Sequence, residues 1–174
     1  YSVGRHDPFK KIEPRLIDQA DVSILSVEQA ADYLAKAVEV PECAAVTVLV
    51  MLCGLRVSEA LQTRQQDIDL DDGIVTVRGQ ASKLRARRIC TLRLALKNGG
   101  LLPLSQSVYD KARRASLPAI PANSLRHSFC SYHLAHFKNI GLTAEEAGNS
   151  PEMIAKHYKE LVRPKAAARF WQIT

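Results

Sequence analysis

A single β-hairpin signal inside an otherwise helical pattern limits the folds open to this chain of 174 residues. The Asp72-Gly73 step is typical of a tight turn, and the β-branched run Ile74–Val77 follows it. We predict strands at 67–70, 74–77 and 88–94, with the basic stretch 78–87 as the turn between the last two. Because the rest of the chain has helical periodicity, we expect a mainly α (α+β) fold with a small antiparallel three-stranded β-sheet.

Capping signals predict where the helices begin and end. Ser26 and Gln29 form a capping box ahead of an apolar stripe. Ser58 and Ser150 are the predicted N-caps of two later helices, and a Thr143–Glu146 capping box precedes a one-turn helix that Gly148 ends. Apart from the helices at Ser26 and Thr143, the predicted helices cover 42–52, 59–65, 108–115, 124–137, 151–162 and 166–171.

The first 24 residues differ from the rest of the chain. They have no sustained periodicity and contain Pro8 and Pro14, so we predict a linker or N-terminal arm at 1–24 and one domain at 25–174. The chain begins at Tyr1 and shows no signal peptide, and we interpret it as a fragment of a longer protein. No apolar window approaches the roughly 20 residues that a membrane span needs, so no membrane association is expected.

The charge balance favours an anionic partner. The formal net charge is +6, and five cations fall within one short stretch. They are Arg78, Lys83, Arg85, Arg87 and Arg88. Phosphate neutralisation by such residues drives nucleic-acid binding, but cations also commonly guard the edge of a sheet. The charge pattern alone leaves both interpretations open.

The cysteines indicate the compartment. Cys43, Cys53, Cys90 and Cys130 are far apart in sequence and form no C-x-x-C pair. This spacing predicts reduced thiols in a cytoplasmic protein, and neither a disulfide framework nor a zinc site.

Three short segments carry residues suited to phosphodiester chemistry. CGLRVSEAL at 53–61 contains Arg56, SLRHSF at 124–129 contains Arg126, and GNSP at 148–151 is followed by Tyr158. Lys83 lies between the first two, in the predicted hairpin. In order, spacing and local context these segments resemble the tyrosine recombinases, or phage integrases, over about residues 26–171.

The resemblance implies the recombinase catalytic-domain fold and a set of roles. Arg56 and Arg126 would hold the scissile phosphate, as arginines do bidentately. Lys83 would be the general acid, and Tyr158 would attack to give a 3′-phosphotyrosyl link. No metal or cofactor is implied. Six further residues are expected to contact DNA: Arg78, Arg85, Arg87, Arg88, His127 and Lys156.

The sequence departs from the family pattern at two positions that commonly hold histidine. These are Asn123, three residues before Arg126, and Asn149, directly after Gly148. Asparagine can hydrogen-bond to a phosphate but cannot transfer a proton near neutral pH. His127 and His157 are the candidate substitutes, although a histidine beside such a motif is more often a packed structural residue.

The resemblance also implies partners. The expected partner is double-stranded DNA, bound by a tetramer of subunits in the cytoplasm (nucleoid-associated), with integration or excision of a mobile element as the outcome. A helical DNA-binding domain would precede the chain. The apolar pair Phe170-Trp171 is expected to dock, in cis or in trans.

Several alternatives stay open. The protein is interpreted alternatively as a recombinase-fold DNA-binding protein that does not cut, as a helix-turn-helix module over 143–162, or as a type IB topoisomerase. Arg56 has a structural alternative as an ordinary partner of Glu59. Tyr158 has one as a core aromatic in a stripe with Ile154.

Overall fold

The chain is mainly helical with one small antiparallel sheet, which confirms the predicted fold class. The computed structural model describes residues 22–79, 87–92 and 105–173. The helices are α1 (Val27–Val38), α2 (Pro41–Met51), α3 (Val57–Ala60), α4 (Gln106–Ser116), α5 (Ser124–Phe137), α6 (Ile140–Ala147), α7 (Pro151–Tyr158) and α8 (Pro164–Phe170). The strands are β1 (Ile68–Asp69), β2 (Ile74–Val77) and β3 (Arg88–Thr91), preceded by a 3₁₀ turn at Gln65–Asp67.

Two helices form the centre of the domain. α2 is apolar around most of its circumference and packs against α1, α4 and α5. α5 begins and ends where the sequence predicts, and most of its residues are buried. α2 belongs in the core because any face turned to water would expose apolar area, and α5 is buried beside it although it carries serines, histidines and an arginine. α5 therefore carries its first turn, with Arg126 and His127, into the interior.

The sheet has the strand order β1-β2-β3 with antiparallel pairing throughout. Val75 lies opposite Cys90, and both are fully buried, whereas their neighbour Ile89 is half exposed. This alternation is what a sheet with one face on the core requires. β3 ends at Thr91, short of the predicted 94, and positions 93–94 lie outside the described residues.

Other predicted helix boundaries are wrong where a side chain provides a cap that the pattern did not reveal. α3 begins at Val57, not at Glu59, because the Glu59 carboxylate accepts the backbone N–H of its N-cap residue, Arg56. α6 begins at Ile140, not at Thr143, because the Asn139 side chain caps it. The predicted Thr143–Glu146 capping box does not form.

The C-terminal part of the chain also differs from the prediction. Ser150 caps α7 as expected, but the helix ends at Tyr158 and does not reach residue 162. The chain turns at Glu160, which has a φ of +65°. Pro164 begins α8 at its first position, a site that tolerates proline because no intrahelical N–H is needed there.

Apolar side chains form two clusters. The larger joins α1, α2, α5, the sheet and α8, and the smaller joins α5, α6 and α7 around Phe129, Ile154 and Tyr158. Phe170 is fully buried and stacks on Tyr132 of α5 with ring centroids 4.0 Å apart. In the described part of the chain no helix is both long enough and apolar enough to cross a bilayer.

A buried ion pair joins the sheet to α3. Glu59 on α3 is 1% exposed and accepts hydrogen bonds from both terminal nitrogens of Arg88 on β3, at 3.1 and 2.6 Å. Burial alone would raise the pKa of Glu59, but the hydrogen bonds and charges of Arg88 and Arg56 outweigh it and hold that pKa below its usual value of 4.5. The carboxylate is therefore ionised at neutral pH and fixes the two segments to each other.

The pair extends to α6. The Nε of Arg88 donates to the carbonyl of Glu146 at 3.0 Å, and the Cys90 thiol donates to the same carbonyl at 3.2 Å. The Arg88 guanidinium also packs against Gly148. A Cβ added at Gly148 would come within 2.8 Å of that guanidinium. Since Gly148 has a φ of +60° as well, this helix end favours glycine for two independent reasons.

Replacing one partner of this pair should destabilise the domain. Glu59→Gln leaves the Arg88 cation buried without an anion, and loss of one partner of a buried pair typically costs about 3–5 kcal/mol. Urea denaturation measures the change in the free energy of unfolding. The matched control is Glu28→Gln, which breaks the exposed 2.7 Å pair with Arg169 and should change stability little. Equal losses in the two variants would contradict the account.

The same carboxylate should contribute to acid sensitivity. Because the folded pKa of Glu59 lies below its usual value, its contribution is fully present above about pH 4.5 and is lost as the pH falls through the lower folded pKa. The difference in unfolding free energy between the wild type and Glu59→Gln should therefore shrink below pH 4.5. A difference that stays constant down to the acid transition would contradict this assignment.

Candidate active site

Arg126 is a buried cation held by neutral groups. It is 9% exposed, and its guanidinium donates to the carbonyls of Gly54 and Ala147 and to Oδ1 of Asn149 at 3.4 Å. Among the described residues no carboxylate forms an ion pair with it. Burial lowers the pKa of Arg126, and the charges of Arg56 and Arg88 act in the same direction, whereas Cys130 and the more distant Glu59 carboxylate oppose them. A buried charge without a counter-ion is costly, and an anion bound here would reduce that cost.

Arg56 lies beside it and is partly open to solvent, with a side chain 24% exposed. One terminal nitrogen donates to Glu59 at 2.9 Å, so the ordinary pairing considered from the sequence is present. The other donates to the carbonyl of Gly148 at 2.8 Å and to Oδ1 of Asn149 at 3.2 Å. The two arginines, 70 positions apart in sequence, thus meet at one amide oxygen.

The backbone at Gly54 brings these groups together. Gly54 follows α2 with a φ of +72°, and any Cβ there would collide with the ring of Phe129 on α5. Only glycine allows the chain to pass this close to α5 and to direct its carbonyl at Arg126. The same turn delivers Arg56 to the N-terminus of α3.

Tyr158 is the last residue of α7 and is 7% exposed. It packs within the smaller apolar cluster, as the core interpretation expects, but its hydroxyl lies 2.9 Å from Nδ1 of His127. Burial raises the pKa of Tyr158 to about 12, assisted by the Cys130 thiol and opposed by Arg126 and Arg56. The phenol is therefore neutral at rest, beside two cations that favour its ionised form.

The two asparagines have different environments. Asn149 is half-buried, and its amide oxygen accepts from both arginines. Asn123 is exposed at the N-cap of α5 with a φ of +60°, and its side chain forms no capping hydrogen bond. The family pattern has histidine at both positions. In this chain Asn149 contacts the two arginines, whereas Asn123 is exposed at the start of α5.

The expected DNA contacts fall into separate groups. Arg87 and Lys156 are exposed, and Arg78 is half-buried with its Nε on Asp67 at 3.0 Å and a second donor on the carbonyl of Gln62. His127 is half-buried against Tyr158. Lys83 and Arg85 lie outside the described residues.

Arg88 is directed inward. Its side chain is 7% exposed and is bound to Glu59, so we assign it to the support of Arg56 and not to a DNA contact. The sequence held a signal for this: Arg88 lies two residues from the buried Cys90 on a strand, hence on the same face. The sequence predicts Glu59 only as a partner of Arg56, so its pairing with Arg88 is a finding of the structure.

Comparisons by sequence do not place the chain. No protein-family model matches it, and no curated protein matches it significantly.

Comparisons by structure match the chain to several solved proteins. The crystal structure of XerA recombinase superposes with a TM-score of 0.59 at 19% identity, covering 87% of this chain and 65% of XerA. The catalytic domain of bacteriophage HP1 integrase matches with a TM-score of 0.58 at 20% identity, covering 79% of this chain and 87% of that domain. XerH site-specific recombinase bound to its difH substrate, in a pre-cleavage complex, matches with a TM-score of 0.59 at 18% identity, over 88% of this chain and 56% of XerH.

The chain thus spans somewhat less than two thirds of XerA and of XerH, and most of the HP1 catalytic domain. All three are tyrosine recombinases, and the match agrees with the resemblance seen in the sequence motifs. Structural similarity at such low identity establishes the fold, and this chain has the fold of a tyrosine-recombinase catalytic domain.

Proposed function

We propose that this protein is a tyrosine recombinase that cleaves and rejoins DNA at specific sites through a 3′-phosphotyrosyl intermediate. The observation that carries the proposal is Arg126, a buried guanidinium surrounded by carbonyl and amide oxygens. Ion pairs that merely stabilise a fold bring their own carboxylate, as Arg88 does with Glu59. An arginine buried beside a second arginine and a tyrosine is suited to an external anion.

The proposed anion is the scissile phosphate. Arg56 and Arg126 lie 3.2 and 3.4 Å from one amide oxygen of Asn149, so they are close enough together to bind the oxygens of a single phosphate. Cleavage concentrates negative charge on those oxygens in the transition state, which two fixed guanidiniums stabilise. Asn149 takes the position of a further hydrogen-bonding group at the phosphate.

Tyr158 is the proposed nucleophile. Its oxygen bonds to phosphorus, the bond from phosphorus to the 5′-oxygen breaks, and the leaving oxygen takes a proton from Lys83. Arg126 and Arg56 each act to lower the pKa of the Tyr158 hydroxyl, in opposition to its burial. The same two cations thus favour both the phosphate and the phenolate.

The wider activity follows from this chemistry. Arg87 and Lys156 are exposed cations suited to the DNA backbone, and Arg78 and Arg85 are proposed to extend that surface. One of the structural neighbours, XerH, is bound to its DNA substrate. Tetramers acting on paired sites, and the integration or excision of a mobile element, are part of the proposal, as is a nucleoid-associated location in the cytoplasm.

A second candidate function is DNA binding without cleavage. Two observations favour it: asparagines at positions 123 and 149 cannot transfer protons, and burial raises the pKa of Tyr158 to about 12. Both functions require the duplex to bind, and only cleavage forms a covalent adduct.

A covalent trap should distinguish the two. Duplexes of pooled sequence, with a nick just 3′ of varied positions and a label at the 5′ end of the nicked strand, are incubated with the protein and resolved on a denaturing gel. The wild type should give a protein–DNA band and Tyr158→Phe none, because loss of the hydroxyl removes the nucleophile. Tyr33→Phe, which removes the hydroxyl of another buried tyrosine, is the matched control and should react normally.

An adduct that survives Tyr158→Phe would mean that another residue is the nucleophile. A wild type that binds the duplexes but forms no adduct would favour the second candidate function.

Arg126→Lys should slow adduct formation by about 10²–10³-fold, the typical effect of removing one transition-state donor. Lysine keeps the charge but loses the planar fork that reaches several oxygens at once. Single-turnover rates with the nicked duplexes measure the effect. Arg113→Lys, at a half-buried arginine on α4, is the matched control and should react at the wild-type rate. Equal rates for the two variants would contradict a phosphate contact by Arg126.

A further inference from the structure

We propose that His127 is the general base that accepts the Tyr158 proton during strand cleavage. The inference rests on the proposed function, since it requires Tyr158 to be the nucleophile. It assigns to a residue beside Arg126 the proton transfer that neither Asn123 nor Asn149 can perform.

The geometry is that of a nucleophile hydrogen-bonded to its base. Nδ1 of His127 lies 2.9 Å from the Tyr158 hydroxyl oxygen, within the range for direct proton transfer. The two ring centroids are 5.8 Å apart, and the rings are tilted by 38°. His127 lies in the first turn of α5, where its backbone N–H donates to the carbonyl of Asn123 at 2.8 Å. Tyr158 ends α7, so two packed helices set the distance between them.

Other candidates near Tyr158 are less well placed. His157 is its neighbour in sequence, but the ring centroids are 6.4 Å apart and no hydrogen bond joins the two side chains in the described part of the chain. Asn149 engages the two arginines with its amide oxygen. His133 lies deeper in the core, bonded through Nδ1 to Thr143 at 2.8 Å. Only His127, among the described histidines, contacts the hydroxyl directly.

The surroundings keep His127 neutral and ready to accept a proton. Burial lowers its pKa from the usual 6.5, and the charges of Arg126 on α5 and His157 on α7 lower it further. The Tyr158 hydroxyl contacts the imidazole, and the Cys130 thiol, one turn further along α5, interacts with that hydroxyl. With the ring hydrogen on Nε2, Nδ1 accepts the hydrogen bond from the phenol.

Two protons move during cleavage, one from Tyr158 and one to the 5′-oxygen. As the Tyr158 oxygen bonds to phosphorus, its proton moves along the existing hydrogen bond to Nδ1, and the 5′-oxygen leaves with a proton from the general acid. The imidazolium holds the proton while the covalent intermediate lasts. On rejoining, the 5′-hydroxyl attacks phosphorus and gives its proton back to the general acid. The bond from phosphorus to the tyrosine oxygen breaks, and the imidazolium returns its proton to the departing phenolate.

The test is a pH–rate profile of adduct formation with the pooled nicked duplexes. The wild-type rate should fall on the acid side with an apparent pKa below 6.5, as protonation removes the acceptor. In His127→Asn the side-chain oxygen occupies nearly the position of Nδ1 and keeps the hydrogen bond, but it is not basic. This variant should be about 10²–10⁴-fold slower near pH 7.5 and should lose the acid limb. His136→Asn, at an exposed histidine on the same helix, is the matched control and should keep the wild-type profile.

Each alternative outcome is separable. A Tyr158-dependent adduct that His127→Asn forms at the wild-type rate with the acid limb intact would overturn the role of His127 and leave the proposed function standing. Loss of the acid limb in His157→Asn instead would transfer the role to that histidine. If His127→Asn does not fold, the wild-type profile still decides: a rate independent of pH down to pH 5 would overturn the inference. No adduct from the wild type would overturn both proposals.

Discussion

The ionised carboxylate of Glu59 is the contact on which the arrangement of the site depends. It accepts from Arg88 of the sheet, from the Arg56 side chain and from the Arg56 backbone N–H, so one buried side chain joins three groups. A buried ion pair adds little net stability over apolar residues of the same shape, but it loses much when one partner is removed. Its contribution here is geometric: it fixes Arg56 relative to the strand that leads out of the hairpin.

The two buried arginines near Glu59 differ in their partners. Arg88 is neutralised by Glu59, whereas Arg126 is buried against carbonyls and an amide. Among the described residues, Arg126 is thus a buried cation with no carboxylate in hydrogen-bonding contact, and it lies beside Arg56, Asn149 and Tyr158. A site of this kind is costly in the free protein and favourable when an anion arrives, which is the balance that a phosphate-binding site requires.

Much of the fold could be predicted because the signals are local. The Ser26 capping box, the Asp72-Gly73 turn and the bounds of α5 depend on residues close together in sequence, and each is confirmed. The start of α6 was missed because the cap comes from Asn139, before the apolar pattern begins. The inward direction of Arg88 was missed because its partner is 29 positions away.

The candidate site also has a part that the motifs predict and a part that depends on how the helices pack. The motifs predicted which residues belong together, and the structure brings Arg56, Arg126, Asn149 and Tyr158 into one region. Pattern alone gave no distance between His127 and Tyr158, since that contact depends on how α7 packs against α5. Lys83, the proposed general acid, lies outside the described residues.

The most direct test of the central claim is mass spectrometry of the trapped adduct. The protein is reacted with nicked duplexes, digested with nuclease and trypsin, and searched for a peptide that carries a nucleotide. We predict a 3′-linked nucleotide on the tripeptide His157-Tyr158-Lys159, attached through the tyrosine oxygen. A nucleotide on any other residue would contradict the assignment of Tyr158 as the nucleophile.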